Sequence, residues 1–235
     1  MSIFAIGDLH LPGGDDKPMQ VFGAHWEGHW DRIRADWRAR VRPEDIVLIP
    51  GDISWAMHLN DALPDLLAIG ELPGRKILLR GNHDYWWGAI TRVRDALPDG
   101  MYAVQNDALL LNGVAFCGSR GWTNPQGGDT GEDARLYARE LIRLRISLER
   151  ARQMQPQGRL VAMTHFPPLA EGGGETPVSA LMAEFGVDDV VYGHLHGASI
   201  RSAFTGEVAG VRYHFVSCDG LGFRLYQIPD PVEAR

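Results

Sequence analysis

The chain has 235 residues, of which 45% are hydrophobic and 23% charged, and its formal net charge is -7. Such a composition fits a soluble protein forming a single domain over residues 1–235, and no apolar run reaches the roughly 20 residues that a membrane span needs. The negative charge argues against a surface that tracks long nucleic acid, but not against a small phosphorylated ligand in a cationic pocket.

The first residues carry no basic leader and no cleavage site, and they pass directly into an apolar strand over 3–6, so no export signal is expected. Only two cysteines occur, Cys117 and Cys218, each among apolar neighbours. Buried free thiols and a cytoplasmic location are the expectation. The first strand breaks into Gly7-Asp8-Leu9-His10, where an extended backbone would put Asp8 and His10 on the same side. A polar loop over 12–18 leads to a helix with Trp26, Trp30, Ile33 and Trp37 at helical spacing, which makes these side chains core. His25 and His29 stand four apart on it, but no glutamate lies between them as in a zinc-binding HExxH helix, so they read as a solvated face.

A second strand over 45–49 runs into Pro50-Gly51-Asp52, and an amphipathic helix with Leu59, Leu63, Leu66 and Leu67 follows. The third strand, over 76–80, ends in Gly81-Asn82-His83-Asp84, an amide, an imidazole and a carboxylate in three consecutive positions. Tyr85-Trp86-Trp87 reads as a helix start packed on the sheet. Short strands over 101–104, 108–111 and 114–117 follow, with Asn112-Gly113 between the last two as a hairpin signal, so a second sheet begins in mid-chain. The long loop over 118–131, with Ser119, Arg120, Trp122 and Asn124, is expected to line a pocket.

A helix over 133–153 buries Leu141, Leu144, Leu148 and Ala151. Its Arg135, Arg139, Arg143 and Arg150 share another face that Glu132, Glu140 and Glu149 partly neutralise, which reads as solvated. A strand over 159–164 delivers His165, and Glu171-Gly172-Gly173-Gly174-Glu175 is a flexible turn. After a short helix over 180–182, a strand over 189–192 ends in Gly193-His194-Leu195-His196. The tail segments 213–216 and 223–228 read as a strand pair closing the second sheet.

Five times, then, an apolar strand ends and Asp, His or Asn follows, with glycine leading four of the five. In an open α/β sheet the carboxyl ends of neighbouring strands share one crevice, where Asp8, His10, Asp52, Asn82, His83, His165, His194 and His196 can meet. The set exceeds what one ion needs, and two divalent cations about 4 Å apart sharing a carboxylate would use it. Nitrogen and carboxylate donors without thiolates favour Mn, Fe, Co or Zn over Mg or Ca. Two such cations, offset by Asp8, Asp52 and a bridging hydroxide, leave about one positive charge to hold an anion, for which a phosphoryl group is the natural guest. The hydroxide would attack it in line with the leaving oxygen.

These five motifs, spread over positions 7 to 196, resemble the ordered motifs of the calcineurin-like metallophosphoesterases, and the stretch from His83 to Trp87 is similar to a bacterial subgroup of predicted phosphohydrolases. The resemblance implies a four-layer α/β sandwich of two mixed β-sheets flanked by helices. It implies one metal on Asp8, His10, Asp52 and His196, another on Asp52, Asn82, His165 and His194, and His83 beside the substrate phosphate. The family's protein Ser/Thr phosphatases carry an aspartate and an arginine where this chain has Trp55 and Ala56. That departure leaves Asp84 as the candidate catalytic support for His83 and Arg120 as the candidate substrate-binding arginine. Hydrolysis of small phosphodiesters or phosphomonoesters such as nucleotides is the leading expectation. Protein phosphatase, nuclease and metal-free scaffold are the alternatives; no membrane partner is expected, and the oligomeric state is open.

Overall fold

The computed structural model describes residues 1–14, 19–125 and 131–230, so parts of the loops expected over 12–18 and 118–131 lie outside the described residues. One sheet contains β1 (Ile3–Ala5), β2 (Ile46–Pro50), β3 (Arg75–Leu79), β4 (Met101–Val104) and β11 (Tyr226–Ile228). Its order is β11-β1-β2-β3-β4, parallel except for β11. The other sheet contains β5 (Ala108–Leu111), β6 (Val114–Gly118), β7 (Leu160–Met163), β8 (Asp189–Tyr192), β9 (Gly206–Val208) and β10 (Val211–Phe215). Its order is β5-β6-β7-β8-β10-β9, with the outer strands β5 and β9 antiparallel to their neighbours.

Period-two side-chain alternation explains why two sheets stack. Ile3, Ile46, Leu48, Ile77 and Leu79 of the first sheet meet Phe116, Val161, Met163 and Val191 of the second in a shared apolar layer. The opposite faces point outward to helices. Phe4, Val47, Ile49 and Leu78 pack with Ile33 and Trp37 of α1 (His29–Arg40), with Leu66 and Ile69 of α2 (Leu59–Gly70), and with Val93 of α3 (Ile90–Ala96). Ala115, Leu160, Ala162 and Val190 pack under Leu144, Leu148 and Ala151 of α4 (Glu132–Met154) and Met182 of α5 (Pro177–Glu184). The result is the expected four-layer sandwich of helices, two mixed sheets and helices. No helix among the described residues is long and apolar enough to cross a membrane.

The hairpin at Asn112-Gly113 forms between β5 and β6, with positive φ at both residues (51° and 78°), as a tight primed turn requires. Both cysteines are free and buried. Trp86 and Trp87 enter the core, but Trp26 sits on a short 3₁₀ turn ahead of α1 instead of within it. The tail corrects one expectation. Its strands do not pair with each other: β10 joins the second sheet beside β8, whereas β11 crosses to the first sheet and pairs with β1. The physical reason is that β1 would otherwise be an exposed edge, and the last strand covers it.

One buried charge cluster ties the second sheet together. The Asp189 carboxylate on β8 receives Arg159 and Arg212 at 2.8 Å and His214 at 2.9 Å. Burial pushes its pKa up, but the hydrogen bonds from His214, Arg159 and Arg212 outweigh burial and hold it below the usual carboxylate range. Asp189→Ala leaves two arginines without their buried anion and should cost about 3 kcal/mol in urea unfolding at neutral pH. A depressed carboxylate stabilises the fold above the ordinary pKa of about 4 and stops doing so as pH falls through its folded value. The gap between the two proteins should therefore close in acid, and a pH-independent gap would refute this account.

Candidate metal centre

The parallel strands of both sheets end at one crevice, and backbone hydrogen bonds join the two sheets there. Gly7 N donates to Val216 O at 2.7 Å and Cys218 N to Gly7 O at 3.1 Å, linking the chain after β1 to the chain after β10. The side chains following β1, β2, β3, β7 and β8 then meet. Asp8, His10 and His196 each bring a donor atom to within 4.8 Å of one another, as do Asp8, Asp52 and His165.

The donors form two overlapping groups, and both Asp8 and Asp52 border each of them. In one, His196 Nε2 lies 3.4 Å from both His10 Nε2 and Asp8 Oδ1, and Asp52 Oδ2 lies 3.8 Å from His10 Nε2. In the other, Asn82 Oδ1 lies 2.6 Å from His165 Nε2 and 2.9 Å from His194 Nδ1, and Asp52 Oδ2 lies 3.4 Å from His165 Nε2. Adjacent ligands on an octahedral cation with bonds of about 2.1 Å stand roughly 3 Å apart, so these Asp and His side chains are close enough together to hold metal.

Tautomers follow from the outer partners. His165 Nδ1 donates to Pro50 O at 3.0 Å and His196 Nδ1 to Asp219 Oδ1 at 2.9 Å, so both rings turn Nε2 inward. Burial alone would raise the pKa of Asp8, yet the hydrogen bond from His196 and the charge of His165 hold it low. The same competition, led by His165, lowers that of Asp52. Against the effect of burial, Asp52 raises His165 to about 9, and Asp219 and Asp8 raise His196 to about 10. Burial lowers His10 and His194 to about 4. The carboxylates thus favour positive charge beside them, carried here by His165 and His196, and a cation bound there would displace those protons because histidine ligates only as neutral imidazole.

The local sequence serves this crowding. Asp8, His10, Asp52 and His194 all have positive φ (58°, 46°, 50° and 75°), a backbone that L-residues adopt at a cost. Asp8 and His10 therefore meet through left-handed turns and not through the extended backbone expected from their spacing. A Cβ on Gly81 would collide with the Asp52 carboxylate, and one on Gly193 with that of Asp8, so glycine precedes Asn82 and His194 by steric necessity.

A sequence model of the family described as calcineurin-like phosphoesterase matches residues 1–198. The chain belongs to that family. None of the curated proteins compared with it matches. Among solved structures, a phosphopantetheinyl hydrolase from Mycobacterium tuberculosis is similar at 17% identity and a TM-score of 0.60, covering 100% of this chain and 98% of its own. A protein of unknown function from Aquifex aeolicus is similar at 16% identity and a TM-score of 0.51, covering 96% of this chain and 95% of its own. At these identities the likeness is one of fold.

In this calcineurin-like phosphoesterase His83 stands beside the two donor groups. Its backbone N–H donates to Asp52 Oδ1 at 2.8 Å, its ring centroid lies 4.7 Å from that of Trp55, and its buried Nδ1 has no hydrogen-bond partner among the described residues. His83 and His196 line a cavity of about 300 Å³ walled by Phe22, Trp26 and Trp55. On the other flank Thr123 and Asn124, from the loop expected to line a pocket, border a cavity beside His194.

Two candidate residues sit elsewhere. The Asp84 carboxylate does not reach His83. It is fully buried and accepts from Ile53 N (2.8 Å), Ser54 N (3.2 Å), Gly81 N (2.7 Å) and Trp86 Nε1 (3.0 Å), which clamps the Asp52 loop to the Asn82 loop. Arg120 lies over Trp122 at 4.7 Å and lines a cavity that none of the donor residues borders. Sequence reasoning missed Asp219, although the strand ending into Ser217-Cys218-Asp219 repeats the rule that found the others. It also read His29 as solvated, whereas its Nε2 reaches Leu9 O at 3.0 Å and braces the turn between Asp8 and His10.

Burial and repulsion from Asp52 push the Asp84 pKa up to about 6, against the pull of its backbone donors. Asp84→Asn would turn an amide toward Gly81 N–H, and a buried donor left without its acceptor costs roughly 2 kcal/mol. The expected result at pH 8 is that loss of stability in chemical denaturation. Unchanged stability with slowed turnover would instead make Asp84 a catalytic group.

Proposed function

We propose that this chain hydrolyses small phosphodiesters or phosphomonoesters with a pair of metal ions, and that its aromatic cavity receives a planar or apolar leaving group such as a nucleoside. The reading is carried by the convergence of seven donor residues in two overlapping groups. Asp8, His10, Asp52 and His196 would hold one cation, and Asp52, Asn82, His165 and His194 the other, a donor chemistry suited to Mn, Fe, Co or Zn. When bound, the ions supply Lewis acidity toward phosphoryl oxygens and lower the pKa of water toward about 7.

The chain's own residues do the rest. The bond from its N–H to Asp52 fixes the His83 backbone, and its ring borders the same cavity as His196, where it can pass a proton to the leaving oxygen. Trp55 stacks on His10 with centroids 4.7 Å apart and planes at 20°, and Phe22 stacks on Trp55 in turn. Phe22 and Tyr85 stay 61% and 52% exposed, so the rim of the crevice offers apolar surface to a ligand. Such a wall favours a flat, weakly polar group, and it stands where the family's protein phosphatases carry acid and arginine. This favours a small ester over a phosphoprotein.

Asp52→Asn should abolish turnover of bis-p-nitrophenyl phosphate and lower bound metal at both positions by elemental analysis; an active variant would remove the shared carboxylate from the reading. His83→Ala should keep its metal and slow turnover by about 10²- to 10⁴-fold. If metal were lost instead, His83 would be a ligand.

A further inference from the structure

Away from the donor residues, four arginines border a second cavity, of about 230 Å³. Arg80 follows β3, Arg120 follows β6, and Arg139 and Arg143 reach in from neighbouring turns of α4. Among the described residues the only acidic group in the lining is Glu140, which leaves three of the four positive charges there unmatched. Their partners do not account for them. Arg143 is paired with Glu140 at 2.6 Å, and Arg120 lies over the Trp122 ring. The buried Nε of Arg80 has no hydrogen-bond partner, and the Arg139 side chain has no hydrogen bond or ion pair, both among the described residues.

Like charges brought together repel, and here Arg80, Arg120 and Arg143 are partly buried while Arg139 is exposed. An anion among them would relieve the repulsion and satisfy the idle guanidinium donors at once. The excess of three charges suits a dianion better than a single carboxylate, and the volume falls below the roughly 300 Å³ at which pockets begin to hold whole drug-sized ligands. We propose that this cavity is an anion subsite, separate from the metal-binding crevice, that takes one phosphate group.

The subsite stands close to the crevice. Arg80 is two residues before Asn82, so their Cα atoms are within about 8 Å. Arg120 O accepts from His165 N at 2.9 Å and Phe166 N at 3.0 Å. An occupant therefore presses on the same backbone that carries two of the donor side chains.

The test is calorimetric titration of inorganic phosphate into the full-length Asp52→Asn protein in chelator, which cannot hydrolyse and so is blind to the hydrolase reading. One phosphate per chain should bind, and adding Arg139→Gln or Arg80→Gln should weaken it by about ten-fold or more, since each removes a charged hydrogen bond. Arg135→Gln, which removes an exposed charge from the same helix outside the cavity, should not weaken it. Absence of saturable binding, or equal weakening by Arg135→Gln and Arg139→Gln, would overturn the subsite. A free phosphate ion and a second phosphate on the substrate share this chemistry. In metal-loaded protein Arg139→Gln should raise KM more for a diphosphate ester than for its monophosphate if the substrate is the source. If the free ion is the source, it should change the response of bis-p-nitrophenyl phosphate turnover to added phosphate. If neither changed, the proposal would fall.

Discussion

Two carboxylates, those of Asp8 and Asp52, lie buried at the seam where the two sheets end, and the structure around them is arranged to make that tolerable. Isolated anions out of water are costly unless positive charge or donors face them. Here His194 N–H reaches Asp8, His83 N–H reaches Asp52, and raised pKa values on His165 and His196 put cationic charge beside both. The left-handed turns and close glycines are consequences of the same crowding, because the backbone must pass within contact distance of each carboxylate while its side chains point inward. Strain of this kind persists where the surrounding structure over-determines it, and here the buried Asp and His donors stand close enough together to hold metal.

The same seam couples the site to the stability of the sandwich. Asp84 holds the loops after β2 and β3 together, His165 reaches across the inter-sheet boundary to Pro50 O, and Gly7 exchanges backbone bonds with the chain after β10. None of these contacts touches a substrate. Each sets where a donor atom stands, in a set whose neighbouring donors are 2.6 to 3.8 Å apart. A rigid seam is thus a condition for the chemistry as much as for the fold.

Much of this was legible in the sequence, since a short apolar run followed by glycine and a polar triplet carries both facts at once: a buried parallel strand and a crevice at its end. Strand ends located the donors, and the Asn112-Gly113 hairpin signal located the start of the second sheet. What stayed hidden depends on contacts between distant segments. Asp84 belongs to the same polar triplet as Asn82 and His83, and only the fold reveals that its oxygens are spent on Ile53, Ser54, Gly81 and Trp86. Asp219 lies 23 residues past His196 and meets it through the turn after β10. The partition of the tail strands between sheets turns on which edge needs covering, a property of the assembled sheet and not of either strand. The arginine face of α4 looked neutralised by nearby glutamates along the helix, but Arg80 and Arg120 arrive from other elements and tip the local balance.

Specificity in this architecture is set by what surrounds the donors more than by the donors themselves. Trp55 illustrates how. It follows Asp52 by three positions, in a loop pinned by the Asp84 clamp, and so its ring is delivered against His10 and His83 with little freedom. An aspartate there would orient an imidazole and an arginine next to it would grip a phosphate, both at the reacting centre. An indole does neither; it stacks on His10 and covers it on that side. The aromatic wall beside His10 and His83 and the recess lined by Arg80 and Arg120 are therefore distinct surfaces, one apolar and one cationic, and the second is tied through Arg120 O to the backbone of His165.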